Sequence, residues 1–149
     1  MSKFEIAKRQ VELAKPEFEA NTTEFNLGLN FQKEASFALQ IFQSNDYLSG
    51  MEANSIKNAI VNISLTGLTL NPVMKMAYLV PRKGKCVLDI SYIGLVKILT
   101  DTGSIKNLEA HPIFANEPHK ISRGTNPDVE HGLAPTGDKG EMIGVYSVA

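Results

Sequence analysis

Lys75, Arg82, Lys83 and Lys85 crowd one short stretch of the chain, with Tyr78 inside it, Tyr92 just beyond it and Lys97 on the following segment. Cations that follow phosphates, interleaved with rings on which bases can stack, are what a single-stranded nucleic acid requires of a protein. The plainer reading of the same residues is that Arg82 and Lys83 solvate a turn while both tyrosines pack in the core. A second group, Asp128, Glu130 and His131, has the residue types for general acid–base work or for a magnesium site. Asp128 and Glu130 share a face if that piece is a strand. With no nucleophile or second acid placed beside it, the group reads as a charged surface loop.

Other chemistries lack their residues. The chain has no G-x-x-x-x-G-K-[ST] cradle for a nucleotide triphosphate, no G-x-S-x-G nucleophile elbow and no H-E-x-x-H zinc helix. His111, His119 and His131 lie in or beside expected loops, with spacing that does not force them to converge on a metal. Cys86, the one cysteine, alternates with polar neighbours on an apolar strand face and reads as a small buried hydrophobe. It cannot form an internal disulfide, which fits a reducing cytosol.

Charge is balanced overall but not along the chain. The 149 residues carry 15 basic and 16 acidic groups, a net charge of −1. Residues 71 to 110 alone are positive, with 6 basic groups against 3 acidic ones. That stretch contains the cation cluster, as a local site for a polyanion on a neutral protein requires. The 43% apolar content suits a globular fold. No run approaches the roughly 20 apolar residues of a membrane span, and the N-terminus opens on charges instead of a signal-peptide core.

The elements that position these residues follow from periodicity. Phe4, Ala7, Val11 and Ala14 predict an amphipathic helix over residues 2 to 19, disturbed at Pro16. A polar link over 20 to 29 leads to Asn30, which can cap a helix with Phe31, Ala35, Ala38 and Phe42 on one face and a break at Ser44-Asn45-Asp46. Ile56, Ala59, Ile60 and Ile63 predict a third helix from about Glu52 to Thr66, ended by Gly67. After Asn71-Pro72 the period changes. Ala77 to Val80 and Lys85 to Ile90 read as strands joined by a Pro81-Arg82-Lys83-Gly84 turn. Ser91 can cap a fourth helix, Tyr92 to about Thr102, with Tyr92, Leu95, Val96 and Leu99 as its inward face. Gly94 within it costs about 1 kcal/mol relative to Ala, tolerated either for close packing or for backbone approach to a ligand. Strands are expected near Ile105 to Phe114, at Lys120 to Arg123 and from Glu141 to Ala149, the last either a paired terminal strand or the end of a fragment. The sum is an α+β protein: a small antiparallel sheet with a central hairpin backed by helices, preceded by a helical N-terminal region. One domain is expected over residues 1 to 149, helical to about 70 and mixed from about 71.

Gly67-Leu68-Thr69-Leu70-Asn71-Pro72, Ala77-Tyr78-Leu79-Val80-Pro81, Lys85-Cys86 and Tyr92-Ile93-Gly94-Leu95 resemble, in order, the blocks of the RecT family of phage single-strand annealing proteins. Pro127-Asp128-Val129-Glu130-His131 and Gly144-Val145-Tyr146-Ser147-Val148-Ala149 are similar to that family's downstream segments, so the resemblance covers about residues 50 to 149. It implies an ATP-independent recombinase of the bacterial cytoplasm. Such a protein coats single-stranded DNA, assembles into rings or helical filaments, and pairs the coated strand with its complement. It implies a phage exonuclease as partner, no covalent chemistry, no required cofactor, and a divalent metal only as a modulator of DNA binding. Carried onto this chain, the family's basic core motif falls on Lys75, Tyr78, Arg82, Lys83, Lys85, Tyr92 and Lys97. Two positions depart from the pattern: Ile93 stands where a lysine is common, and Asp89 where an uncharged residue is usual. Family members usually continue past the Val-Tyr-Ser-Val-Ala strand, so a shortened product is expected. The alternative function is then DNA binding or co-assembly with full-length protomers without annealing.

Overall fold

Pro16 begins a helix instead of ending one. In the computed structural model, which describes residues 1–149, the first helical stretch is two helices, α1 (Lys3–Leu13) and α2 (Lys15–Glu24). Pro16 occupies the first turn of α2, where no carbonyl waits for its missing N–H. The expected polar link shrinks accordingly, and Phe18 on α2 is fully buried. Then come α3 (Phe31–Ser44), the single turn α4 (Asp46–Ser49) and α5 (Ala53–Thr66). Asn30 caps α3 by accepting from the Lys33 N–H at 3.1 Å, and Asn45 caps α4 by accepting from the Leu48 N–H at 2.9 Å. The chain divides into two compact units, Met1–Thr102 and Gly103–Ala149.

α5 is the centre of the first unit. Ile56, Ala59, Ile60 and Ile63 are at most 2% exposed, and the helix packs against α1, α2 and the hairpin. Gly67, at φ +68°, ends it in the left-handed conformation that glycine adopts without strain. The connector that follows is held by Glu34. This buried carboxylate of α3 accepts from the Thr69 hydroxyl at 2.7 Å and the Leu70 N–H at 2.8 Å, so Leu68 and Leu70 enter the core with their backbone satisfied.

The hairpin pairs β1 (Ala77–Arg82) with β2 (Lys85–Ile90), Arg82 opposite Lys85. Its turn is shorter than the sequence predicts. Pro81 and Arg82 belong to the strand, and the two turn residues, Lys83 at φ +49° and Gly84 at φ +78°, have the paired positive φ that matches strand twist. Pro81 is accommodated because its partner Cys86 turns its N–H outward, donating to Ser55 Oγ on α5 at 2.9 Å.

α6 (Tyr92–Asp101) starts at Ser91, whose hydroxyl accepts from the Gly94 N–H at 3.1 Å and donates to the Lys75 carbonyl at 2.6 Å. Its inward face differs from the expected one. Ile93, Gly94 and Ile98 turn toward the core, while Tyr92, Leu95 and Leu99 are exposed. Gly94 decides this. A β-carbon there would lie 2.4 Å from the Met76 carbonyl oxygen, so the helix is seated on the chain preceding β1 by the face that carries no side chain. Close packing is therefore the reason for this glycine.

In the second unit β3 (Glu109–Phe114) pairs with β6 (Met142–Val148), and β4 (His119–Ser122) with β5 (Asp128–His131), both antiparallel. The fold is α+β with small antiparallel sheets, one of them the hairpin backed by helices. No helix is long and apolar enough to cross a membrane.

Candidate nucleic-acid interface

Strand alternation sorts the hairpin into two faces. Ala77, Leu79, Cys86 and Leu88 face the helices. Tyr78, Val80 and Arg82, paired with Asp89, Val87 and Lys85, form the outer face. Tyr78 is 44% exposed, Lys83 stands at the apex, and Lys75, at φ +53°, precedes β1 on the surface. Tyr92 is 76% exposed at the start of α6, so neither tyrosine packs in the core.

The cations differ in what already engages them. Arg82 Nη2 lies 3.2 Å from Asp89 Oδ2, and Lys85 Nζ 3.9 Å from Glu52 Oε2. Lys75 and Lys83 make no ion pair, which leaves them free to meet a phosphate. Lys97 does not join the outer face. It binds Asp101 one turn along α6, and the pair lines a depression of about 590 Å³ with Leu27, Leu29, Met74 and Met76.

The second unit separates Asp128 and Glu130 from His131. The two acids lie on the exposed side of β5, while His131 faces the opposite way. Its Nε2 is 2.9 Å from Glu117 Oε2 and its Nδ1 is 3.2 Å from the Tyr146 hydroxyl. Tyr146 in turn stacks on His111, ring centroids 5.1 Å apart. His119 is held by the Glu117 carbonyl and His111 by Glu109. His131 and His111, both against Tyr146, tie β5 and β3 to β6, and Glu117 is shared by His131 through its carboxylate and His119 through its carbonyl. The Cys86 thiol is pushed up to about 12 by burial, which keeps it from acting as a thiolate.

Glu117 is nearly inaccessible, and nothing in the sequence marked it. The hydrogen bond from His131 holds its carboxyl below the ordinary 4.5, against the upward push of burial and with further help from the Phe114 N–H and Lys139. A lowered carboxyl contributes stability that is present above the unfolded value and lost as pH falls through the folded one. Protection of the β3 and β6 amides, taken relative to their intrinsic exchange rates, is therefore expected to fall as pH drops below the ordinary carboxylate value of 4.5, and Glu117→Gln to flatten that dependence. An unchanged pH profile in the variant would remove Glu117 from the tie.

A search of curated proteins and one of solved structures each returned no match. The model of the RecT family matches residues 32–149, about four fifths of the chain. The chain belongs to the RecT family. Its match begins in α3, earlier than the blocks legible from residue 50, and takes in both units through β6. This RecT-family protein is thereby a phage-type recombination protein. The family departure at Asp89 has a local answer: the acid is paired to Arg82, so it occupies a cation instead of standing alone against phosphate. Ile93, where a lysine is common, packs against the core cluster.

Proposed function

We propose that this RecT-family protein binds single-stranded DNA along the outer face of the β1–β2 hairpin and anneals it to a complementary strand without ATP. The observation that carries this reading is the exposed outer face itself. It holds Tyr78, Arg82 and Lys85 together beside the unpaired Lys83 and Lys75. Cations there hold the phosphates by charge and hydrogen bonds, and base edges stay free to test a second strand. Annealing then needs alignment and no covalent step. On this reading no cofactor takes part, and a divalent cation acts only by modulating DNA binding. The protein works as a homo-oligomer, a ring or helical filament, in which contacts repeated along the strand make binding cooperative. A phage exonuclease supplies the single strand in the bacterial cytoplasm.

The test adds the protein to one labelled oligonucleotide and then supplies its complement or an unrelated strand. Faster fluorescence change with the complement alone is the expected result. Binding without acceleration would favour the second reading, co-assembly with other protomers without annealing, which the exposed Ile143, Val145 and Val148 of β6 support. Absence of binding would overturn the DNA-binding reading and leave only co-assembly.

A further inference from the structure

α5 exposes a face with an unusual composition for a surface helix. Asn54, Asn58 and Asn62 follow one another at one-turn intervals, all exposed, and none of their side-chain amides is engaged within the protein. The only charged residue of the helix, Lys57, is taken up by Glu17 at 3.2 Å on another side. Asparagine is a poor helix former, and an exposed helix face is ordinarily filled by Glu, Lys, Gln or Ala. Three such choices in register break the local rule with no structural return.

The asparagines also have a place. Together with Lys85 and Val87 of β2 they line an open trough of about 300 Å³. Lys85 belongs to the outer face of the hairpin, so the trough continues that face onto α5. The backbone bond from the Glu52 N–H to the Gly84 carbonyl, 3.0 Å, fixes the hairpin tip to the start of the helix. Glu52, the one acid of the trough, sits at the Lys85 end, where the cation offsets it, and from Asn54 to Asn62 no acid follows.

We propose that Asn54, Asn58 and Asn62 form an uncharged rail that hydrogen-bonds the sugar–phosphate backbone of a single DNA strand running from Lys85 along α5. This rests on the hairpin reading above. Successive amides stand about 6 Å apart along the helix axis, comparable to the phosphate step of an extended strand. Identical groups at an identical step suit the part of DNA that repeats identically, which is the backbone and not the base edges. Amide N–H groups donate to phosphate oxygens without a charge of their own. They hold a strand weakly enough for it to shift register during annealing, where a row of lysines would grip it.

Neutral contacts release no counterions, and this separates the rail from the hairpin. The experiment measures single-strand affinity across salt for Asn54→Ala/Asn58→Ala/Asn62→Ala and for Arg82→Ala/Lys83→Ala, with thermal midpoints for both. The rail variant is expected to bind about tenfold more weakly with an unchanged log–log salt slope. Its midpoint should equal or exceed that of the parent, since alanine favours the helix. Parental affinity in the rail variant, with the hairpin variant weakened, would overturn the rail and leave the hairpin reading standing. A reduced salt slope in the rail variant would also overturn it. Parental binding by both variants would remove the hairpin reading and the rail with it. Asn58→Asp is the second probe: a single exposed acid on the rail is expected to weaken binding most at low salt, and a salt-independent effect counts against the proposal.

Discussion

Gly94→Ala is expected to lower the thermal midpoint of the first unit by roughly 10 °C, although alanine is the better helix former. The added methyl would stand 2.4 Å from the Met76 carbonyl oxygen, 2.9 Å from Ile90 Cγ2 and 2.9 Å from Leu68 Cδ1. The two side chains can turn away. The carbonyl cannot, because it accepts from the Ser91 N–H at 3.0 Å and directly precedes β1. Overpacking against fixed backbone costs about 3 kcal/mol, and the gain in helix propensity offsets about 1 kcal/mol of that. The difference, ~2 kcal/mol, corresponds to a shift of that size. Thermal unfolding followed by circular dichroism reads it directly. A midpoint at or above the parental value would mean that α6 can lift away from the hairpin without loss, and the packing account of Gly94 would fail.

Arg82→Ala with Lys83→Ala should produce the largest effect on function. Single-strand affinity at low salt is expected to fall at least about tenfold, and the log–log salt slope to shrink by about 1.4, at about 0.7 for each phosphate that is no longer neutralised. Asp89→Asn should move the other way. It frees Arg82 from an exposed ion pair of 3.2 Å, and exposed pairs of this kind contribute up to about 1 kcal/mol, so affinity should rise by up to about fivefold. Fluorescence anisotropy across a salt series measures both variants. Unchanged affinity and slope in the double variant would place the DNA elsewhere on the protein.

How much of this was legible before the fold was known varies by element. The caps at Asn30 and Ser91, the α5 stripe of Ile56, Ala59, Ile60 and Ile63, and the alternation of β2 are local patterns, and each stands where its spacing put it. Proline stops a helix in its interior but suits its first turn, and only the break between α1, ending at Leu13, and α2, starting at Lys15, tells which applies at Pro16. On α6 the bulky apolar residues pointed the expected core face the wrong way. The seat of that helix is set by the closest approach its backbone can make, and a glycine leaves no hydrophobic signal.

The candidate site divides along the same line. The sequence alone determined the family, through ordered blocks, and it determined which residues carry charge and rings around the hairpin. Tyr78, Arg82 and Lys85 share a face only because β1 runs on to Arg82, which the sequence puts in the turn, and because the strand register sets Arg82 opposite Lys85. The tertiary structure decided which of those charges are free. Ion pairs depend on what the fold brings across a strand pair or up from a helix cap, as Asp89 reaches Arg82 and Glu52 reaches Lys85. It also decided that Glu117, His131 and Tyr146, far apart in the chain, meet in one hydrogen-bonded tie. The same holds for the asparagines of α5, which border the trough beside Lys85 because the hairpin tip bonds to the start of that helix. Periodicity reports which way a residue faces along its own element, whereas contacts between elements arise from packing, and no local spacing encodes them.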